Sequence, residues 1–240
     1  SEIDVGSRSF IDFGDLDGDN LADMVIGNTH GFLKSYKRVV VQEQIFNETT
    51  NSLQTVNRLA WAPYHFNLSK FEFPERAAPR IVDLDGDSDA DIIVGSVTGK
   101  LIGIRNIGNV SHANYELYNF NLDNVATIGD AAPEFVDLDN DNDLDLLVGG
   151  LNAVFIYNNT GNASEPAWQK TIQNISIAEE IVYKVAAADL DADNDADLIV
   201  GSNDANQIDL RKGYFEPVKI QIINFATNQI QINRVEIGVF

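Results

Sequence analysis

A nine-residue acidic phrase, Asp-x-Asp-x-Asp-x-x-x-Asp, occurs four times in this 240-residue chain, each time followed by three apolar residues and a glycine. Its carboxylates are Asp15, Asp17, Asp19 and Asp23; Asp83, Asp85, Asp87 and Asp91; Asp137, Asp139, Asp141 and Asp145; and Asp189, Asp191, Asp193 and Asp197. Four carboxylates so close together repel one another at neutral pH unless a cation sits among them. Hard oxygen donors at alternating positions of a tight loop suit calcium, which takes about six to eight oxygens at roughly 2.3–2.6 Å. Position 7 of the phrase is Leu21, Asp89, Asp143 and Asp195. It is expected to offer its backbone carbonyl, so its side chain is free to vary. Position 6 must turn sharply and is Asn20, Ser88, Asn142 and Asn194, in keeping with the tolerance of Asn for left-handed backbone. The loops are not EF-hands, because the Glu required at position 12 is replaced by Ile26, Val94, Val148 and Val200. The expected cofactor is calcium, about four ions, one per loop.

Short apolar runs bracket each loop. One enters it (residues 10–13, 80–82, 134–136 and 185–188), and one leaves it (24–26, 92–94, 146–148 and 198–200), ending in Gly27, Gly95, Gly149 and Gly201. Such runs read as buried strands. A third strand follows a turn (32–36, 101–104, 154–157 and 208–210). Trp61, Tyr115 and Trp168 then recur 22, 22 and 21 residues before the next loop, marking a fourth, outer strand. Successive loops start 68, 54 and 52 residues apart, and a period near 50 with four short strands per unit predicts an all-β propeller of four-stranded blades. The extra length in the first unit falls around residues 39–55 and reads as a surface insertion.

Ala78-Pro-Arg-Ile-Val-Asp-Leu-Asp-Gly-Asp and Ala132-Pro-Glu-Phe-Val-Asp-Leu-Asp-Asn-Asp, with the Asp-Leu-Leu-Val-Gly that follows the latter, resemble FG-GAP or VCBS repeats. These are the calcium-loop repeats of the integrin α-subunit propeller and of many secreted proteins. The resemblance covers nearly all of residues 9–215 and implies that each loop joins the two inner strands of a blade, with every calcium on one face. Repeat 4 departs from the pattern, with Ala192 where the family prefers Gly and Ala186-Ala-Ala in place of the Ala-Pro lead-in. The integrin-type ring usually has seven blades, whereas this chain carries four motifs. The expected organisation is a single propeller, or part of one, over residues 1–240, with repeats at 9–70, 78–130, 132–180 and 182–225. Residues 218–225 are candidates for the outer strand of the fourth unit. Residues 226–240 alternate through Ile230, Ile232, Ile237 and Val239, and are expected to close the ring, begin a further blade or pair with a neighbouring molecule.

A formal charge of −21 argues against nucleic acid and anionic membranes as partners. No apolar run approaches the roughly 20 residues of a membrane-spanning helix. The chain shows no signal peptide and starts at Ser1, which reads as a mature or excised segment. Cysteine is absent, excluding a disulfide scaffold and thiolate metal sites. Glycosylation signals occur at Asn47, Asn67, Asn109, Asn158, Asn162 and Asn174, against about two expected by chance, and point to a secreted glycoprotein. His30, His65 and His112 follow no repeat register, and no phosphate loop precedes a helix, so no catalytic constellation is found. The sequence thus reads as an extracellular, calcium-stabilised, non-catalytic module for adhesion, interaction or structural assembly. Its expected partners are proteins or glycans at the cell surface or in the matrix. A lectin, with Trp61, Tyr115 and Trp168 as sugar platforms, and an accessory propeller of a larger secreted enzyme are the alternatives.

Overall fold

The computed structural model describes residues 3, 9–64, 66–171, 175–188, 196–204, 219–224 and 231–236. Their regular structure is β apart from two short helical turns, and it is organised as consecutive antiparallel sheets. Sheet I runs β1 (Phe10–Gly14), β2 (Asp23–Gly27), β3 (Leu33–Asn47) and β4 (Ser52–Pro63), paired in chain order. Sheet II repeats this with β5 (Ala78–Val82), β6 (Asp91–Gly95), β7 (Leu101–Asn106) and β8 (Tyr115–Leu117). The third sheet starts with β9 (Ala132–Val136), β10 (Asp145–Asn159) and β11 (Trp168–Lys170), and continues through β12 (Ile175–Ala188), β13 (Asp197–Asp204), β14 (Lys219–Asn224) and β15 (Gln231–Glu236).

The strands expected around loops 1 to 3 are all present, as are the outer strands carrying Trp61, Tyr115 and Trp168. An extended 15-residue strand would span about 46 Å, yet the Asn159 N–H donates to Asp145 Oδ1 at 2.8 Å, joining the two ends of β10. β10 therefore doubles back, and its halves do what β2–β3 and β6–β7 do separately. The extra residues of the first unit lengthen the β3–β4 hairpin to twelve cross-strand pairs, from Tyr36↔Pro63 to Asn47↔Ser52.

Beyond loop 3 the order differs from the first two sheets. β14 pairs directly with β13, in the place expected of residues 208–210, which lie outside the described residues, and β15 pairs with β14. Residues 219–224 therefore sit one strand further in than expected of an outer strand. No strand pairing among the described residues joins sheet I to the last sheet.

Adjacent sheets bury their apolar faces against each other. Leu16, Val25, Leu33, Phe66 and Leu68 of the first unit meet Ile92, Val94, Ile104 and Tyr115 of the second. Leu84, Ile93, Leu101, Phe120 and Leu122 do the same against Phe135, Leu146, Val148 and Tyr157. The strand-ending glycines make this approach fit. A Cβ on Gly27 would lie 1.9 Å from the Ala77 carbonyl oxygen, and one on Gly95 2.1 Å from that of Ala131. The lead-in of each following sheet is held there by N–H donation from Ala77 to the Asn28 carbonyl at 3.1 Å and from Ala131 to that of Ser96 at 2.9 Å.

A second repeated device shapes the connection between sheets. In Tyr64-x-Phe66-Asn67-Leu68 and Tyr118-x-Phe120-Asn121-Leu122, each Phe-Asn pair is left-handed, with φ of 39° and 55° in one copy and 46° and 58° in the other. Such strain persists only where packing over-determines it. Here both Phe and both Leu side chains are buried, and the Tyr rings pack edge-on at 4.5 and 4.8 Å from the Phe rings.

Candidate metal centre

Each described acidic loop is a hairpin between the first two strands of its unit, so its carboxylates converge at one end of the sheet. Position 1 organises the turn. Asp15 Oδ1 accepts from Gly18 N at 2.7 Å and Oδ2 from Asn20 N at 2.8 Å. Asp83 repeats this with Gly86 and Ser88, and Asp137 with Asp141 and Asn142. Position 6 is left-handed as expected, at φ 62° for Asn20 and 72° for both Ser88 and Asn142. Position 4 is left-handed too, in Gly18, Gly86 and Asn140, so the turn demands two such residues rather than one.

Position 9 is a staple as well as a candidate ligand. Asp23, Asp91 and Asp145 are essentially buried. Their Oδ2 atoms accept the N–H of Leu16, Leu84 and Leu138 at 3.1, 3.1 and 2.9 Å. Their Oδ1 atoms accept the N–H of Arg38, Asn106 and Asn159 at 2.9, 2.8 and 2.8 Å. The staple locks each loop to the third strand of its own sheet.

Oxygen atoms of three carboxylates lie within 4.8 Å of one another in every described loop: Asp15, Asp17 and Asp19; Asp83, Asp85 and Asp91; Asp137, Asp139 and Asp145. The Oδ1 atoms of Asp17, Asp85, Asp89 and Asp143 are buried with no hydrogen-bond partner. A buried carboxylate oxygen without a donor is costly, and a hard cation among these groups would satisfy it. The residues present therefore fit a divalent cation, with all-oxygen donors of the kind calcium takes.

The electrostatics point the same way. Burial, and then the neighbouring Asp87, push Asp89 up to about 6; burial pushes Asp91 up to about 7 despite its two backbone hydrogen bonds. Asp23, Asp85, Asp143 and Asp145 are also raised, in each case mainly by burial. Position 7 offers more than the expected carbonyl in two loops, since the Asp89 and Asp143 side chains are themselves buried beside the cluster.

Two basic residues escaped the sequence reading. Lys37 is ion-paired with Asp17 and lies 3.3 Å from Asp19 Oδ2. Arg105 Nε lies 2.5 Å from Asp85 Oδ2, without hydrogen-bond alignment. The signal was available: each stands 14 residues after the ninth-position aspartate, Asp23 or Asp91.

Residues 137–200 match the family model of the FG-GAP-like repeat. This segment is an FG-GAP-like repeat. The loops of sheets I and II follow the hydrogen-bond pattern of the Asp137–Asp145 loop inside this segment, residue for residue at positions 6 and 9. No curated protein matches the chain. The fourth acidic loop lies within the FG-GAP-like match, but Asp189, Asp191, Asp193 and Asp195 fall outside the described residues, as does the side chain of Asp197.

The remaining candidates are dispersed. His30 and His112 are exposed, one after β2 and the other between β7 and β8, and His65 lies outside the described residues. Tyr115 is buried and its hydroxyl donates to the Ala90 carbonyl at 3.1 Å; Trp168 Nε1 donates to the Phe120 carbonyl at 2.9 Å. Both rings tie structure together rather than offering an open platform. Asn67, Asn109 and Asn162 are exposed, Asn47 and Asn158 half-buried, and Asn174 lies outside the described residues.

Proposed function

We propose that the chain is a calcium-stabilised β-propeller module, built from FG-GAP-like blades, that works as a non-catalytic interaction or assembly unit outside the cell. The observation that carries this is the set of orphaned, buried carboxylate oxygens at Asp17, Asp85, Asp89 and Asp143, each inside a loop whose carboxylates converge. The FG-GAP-like match, the consecutive four-stranded sheets and their face-to-face packing support the propeller architecture. The loops would bind calcium through the carboxylates of positions 1, 3, 5 and 9 and the position 7 carbonyl. The bound ion would neutralise them and brace the first two strands of each blade. No helix among the described residues is long and apolar enough to cross a membrane. The strong negative charge and the six glycosylation signals favour an extracellular setting, where calcium is plentiful.

Calorimetry with and without chelator tests the reading. Saturating a site at 100 times its Kd stabilises by about 2.7 kcal/mol. Several sites together approach the whole stability of an ordinary domain, about 5–15 kcal/mol. A large drop in Tm on chelation, restored by calcium and poorly by the smaller magnesium ion, is the expected result. An unchanged melting curve for protein shown to be metal-free would sink it. Proteins or glycans are the proposed partners. A glycan array showing selective, saturable sugar binding would favour the lectin alternative, and a catalytic domain elsewhere in a longer chain would favour the accessory one.

A further inference from the structure

We propose that the acidic loops are graded rather than equivalent, because one position on the third strand sets how much built-in positive charge each loop receives. The staple from position 9 fixes the register: Arg38, Asn106 and Asn159 are equivalent, so their neighbours Lys37, Arg105 and Asn158 are equivalent too. Lys37 and Arg105 each pair with position 3 of their own loop, Asp17 and Asp85; at loop 3 the matching strand position is Asn158 and position 3 is Asp139.

Lys37 engages two of the three clustered carboxylates of loop 1, Asp17 and Asp19. Arg105 touches only Asp85 of loop 2, with its guanidinium 5.2 Å above the Tyr118 ring. At loop 3 the position is a neutral Asn158, and no basic side chain among the described residues pairs with Asp139. Position 7 runs in the same direction, being Leu21 in loop 1 and an additional carboxylate, Asp89 or Asp143, in loops 2 and 3. With the carboxylates ionised, loop 1 has four aspartates and one lysine, a charge of −3; loop 2 has five and one arginine, −4; loop 3 has five and no cation, −5. Ligand charge is a principal determinant of calcium affinity in oxygen-donor loops. Lys37 also competes with a divalent ion for the charge of Asp17 and Asp19. Among the three described loops, loop 3 therefore fills first and loop 1 last, and Lys37 is a positioning residue that holds loop 1 together when calcium is scarce.

This grading rests on the reading of the loops as calcium sites. The test is a calcium titration of the full chain followed by NMR at the loop amides of Gly18, Gly86 and Asn142, which report each site separately. The expected order of saturation is Asn142, then Gly86, then Gly18. Lys37→Gln should move the Gly18 transition to about fivefold lower calcium, the scale of one well-placed surface ion pair. Asn158→Lys should move the Asn142 transition to higher calcium by a similar factor, and it decides the matter alone if Lys37→Gln does not fold. Transitions that coincide in the wild type, or that shift by less than about twofold in either folded variant, overturn the grading. If no amide responds to calcium at all, the calcium reading itself has failed.

Discussion

The backbone N–H of Asn106 donates to Asp91 Oδ1 at 2.8 Å, joining the ninth residue of an acidic loop to the far end of the third strand. Asp91 is fully buried and also accepts from Leu84 N at 3.1 Å, so it has a structural duty independent of any ion. Asp91→Asn should turn an amide donor towards one of these N–H groups and destabilise the protein by about 1–3 kcal/mol even in chelator. Asp87→Asn, at an exposed position, should weaken calcium binding while leaving chelated stability nearly unchanged. Denaturant unfolding of both variants with and without calcium checks the contrast. Equal losses in chelator would show that the staple carries no stability of its own.

The acidic loops and the strands around them were legible because they depend on local chemistry: alternating carboxylates, left-handed turn residues and short apolar runs. Asn20, Ser88 and Asn142 turn as their residue types predict. The ion pairs of Lys37 and Arg105 were harder to see, since they arise only when the third strand folds back beside the loop at a fixed register. The Phe66-Asn67 and Phe120-Asn121 turns were missed for a related reason. Phenylalanine is not a residue one assigns to left-handed backbone, and only burial against the next sheet makes it tolerable. At the C-terminal end, residues 218–225 read as an outer strand, but pairing order is a non-local property and β14 took the place beside β13.

Gly95 marks the close approach of sheet II and the third sheet. A Cβ there would sit 2.1 Å from the Ala131 carbonyl oxygen and 2.9 Å from Pro133 Cδ, and a backbone atom cannot swing aside as a side chain can. Gly95→Ala should cost at least about 3 kcal/mol, the upper range of core overpacking, and part the two sheets. Thermal melting in saturating calcium tests this, and a loss below about 1 kcal/mol would mean the sheets separate freely.

Glycan mapping of natively produced protein should separate the signals by their setting. Asn109 and Asn162 sit in exposed turns, each accepting two backbone N–H bonds on Oδ1. Asn67 is exposed beside a buried Leu68. Asn158 is half-buried within β10, paired with Gln169, and the Thr160 hydroxyl of its signal donates to the Ala167 carbonyl at 3.0 Å. High occupancy is expected at Asn67, Asn109 and Asn162, and the lowest among the described sites at Asn158. Bare asparagines throughout would remove the support that these signals give to the secreted reading.

β15 pairs with β14 along six residues, from Lys219↔Glu236 to Asn224↔Gln231, and so covers an edge that would otherwise be open. Deleting residues 226–240 should lower Tm while leaving the mass in solution unchanged, because the pairing lies within one chain. Light scattering alongside calorimetry distinguishes the outcomes. A fall from oligomer to monomer would show instead that the strand is exchanged between molecules.

Stability should depend on pH in opposite senses with and without calcium. In metal-free protein Asp89 and Asp91 titrate near 6 and near 7, whereas unfolded aspartates titrate near 4. Between about pH 4 and 7 the folded state then holds more protons than the unfolded one, so stability falls as pH rises through that window. Chelated protein is expected to melt at a higher temperature at pH 5 than at pH 8. Calcium requires the same carboxylates ionised, so its stabilisation should be weak at pH 5 and full at pH 8. Melting curves at the two pH values in chelator and in millimolar calcium give the comparison. A chelated protein more stable at pH 8 than at pH 5 would mean that these buried carboxyls are already ionised in the empty loops, and that the loops tolerate their own repulsion.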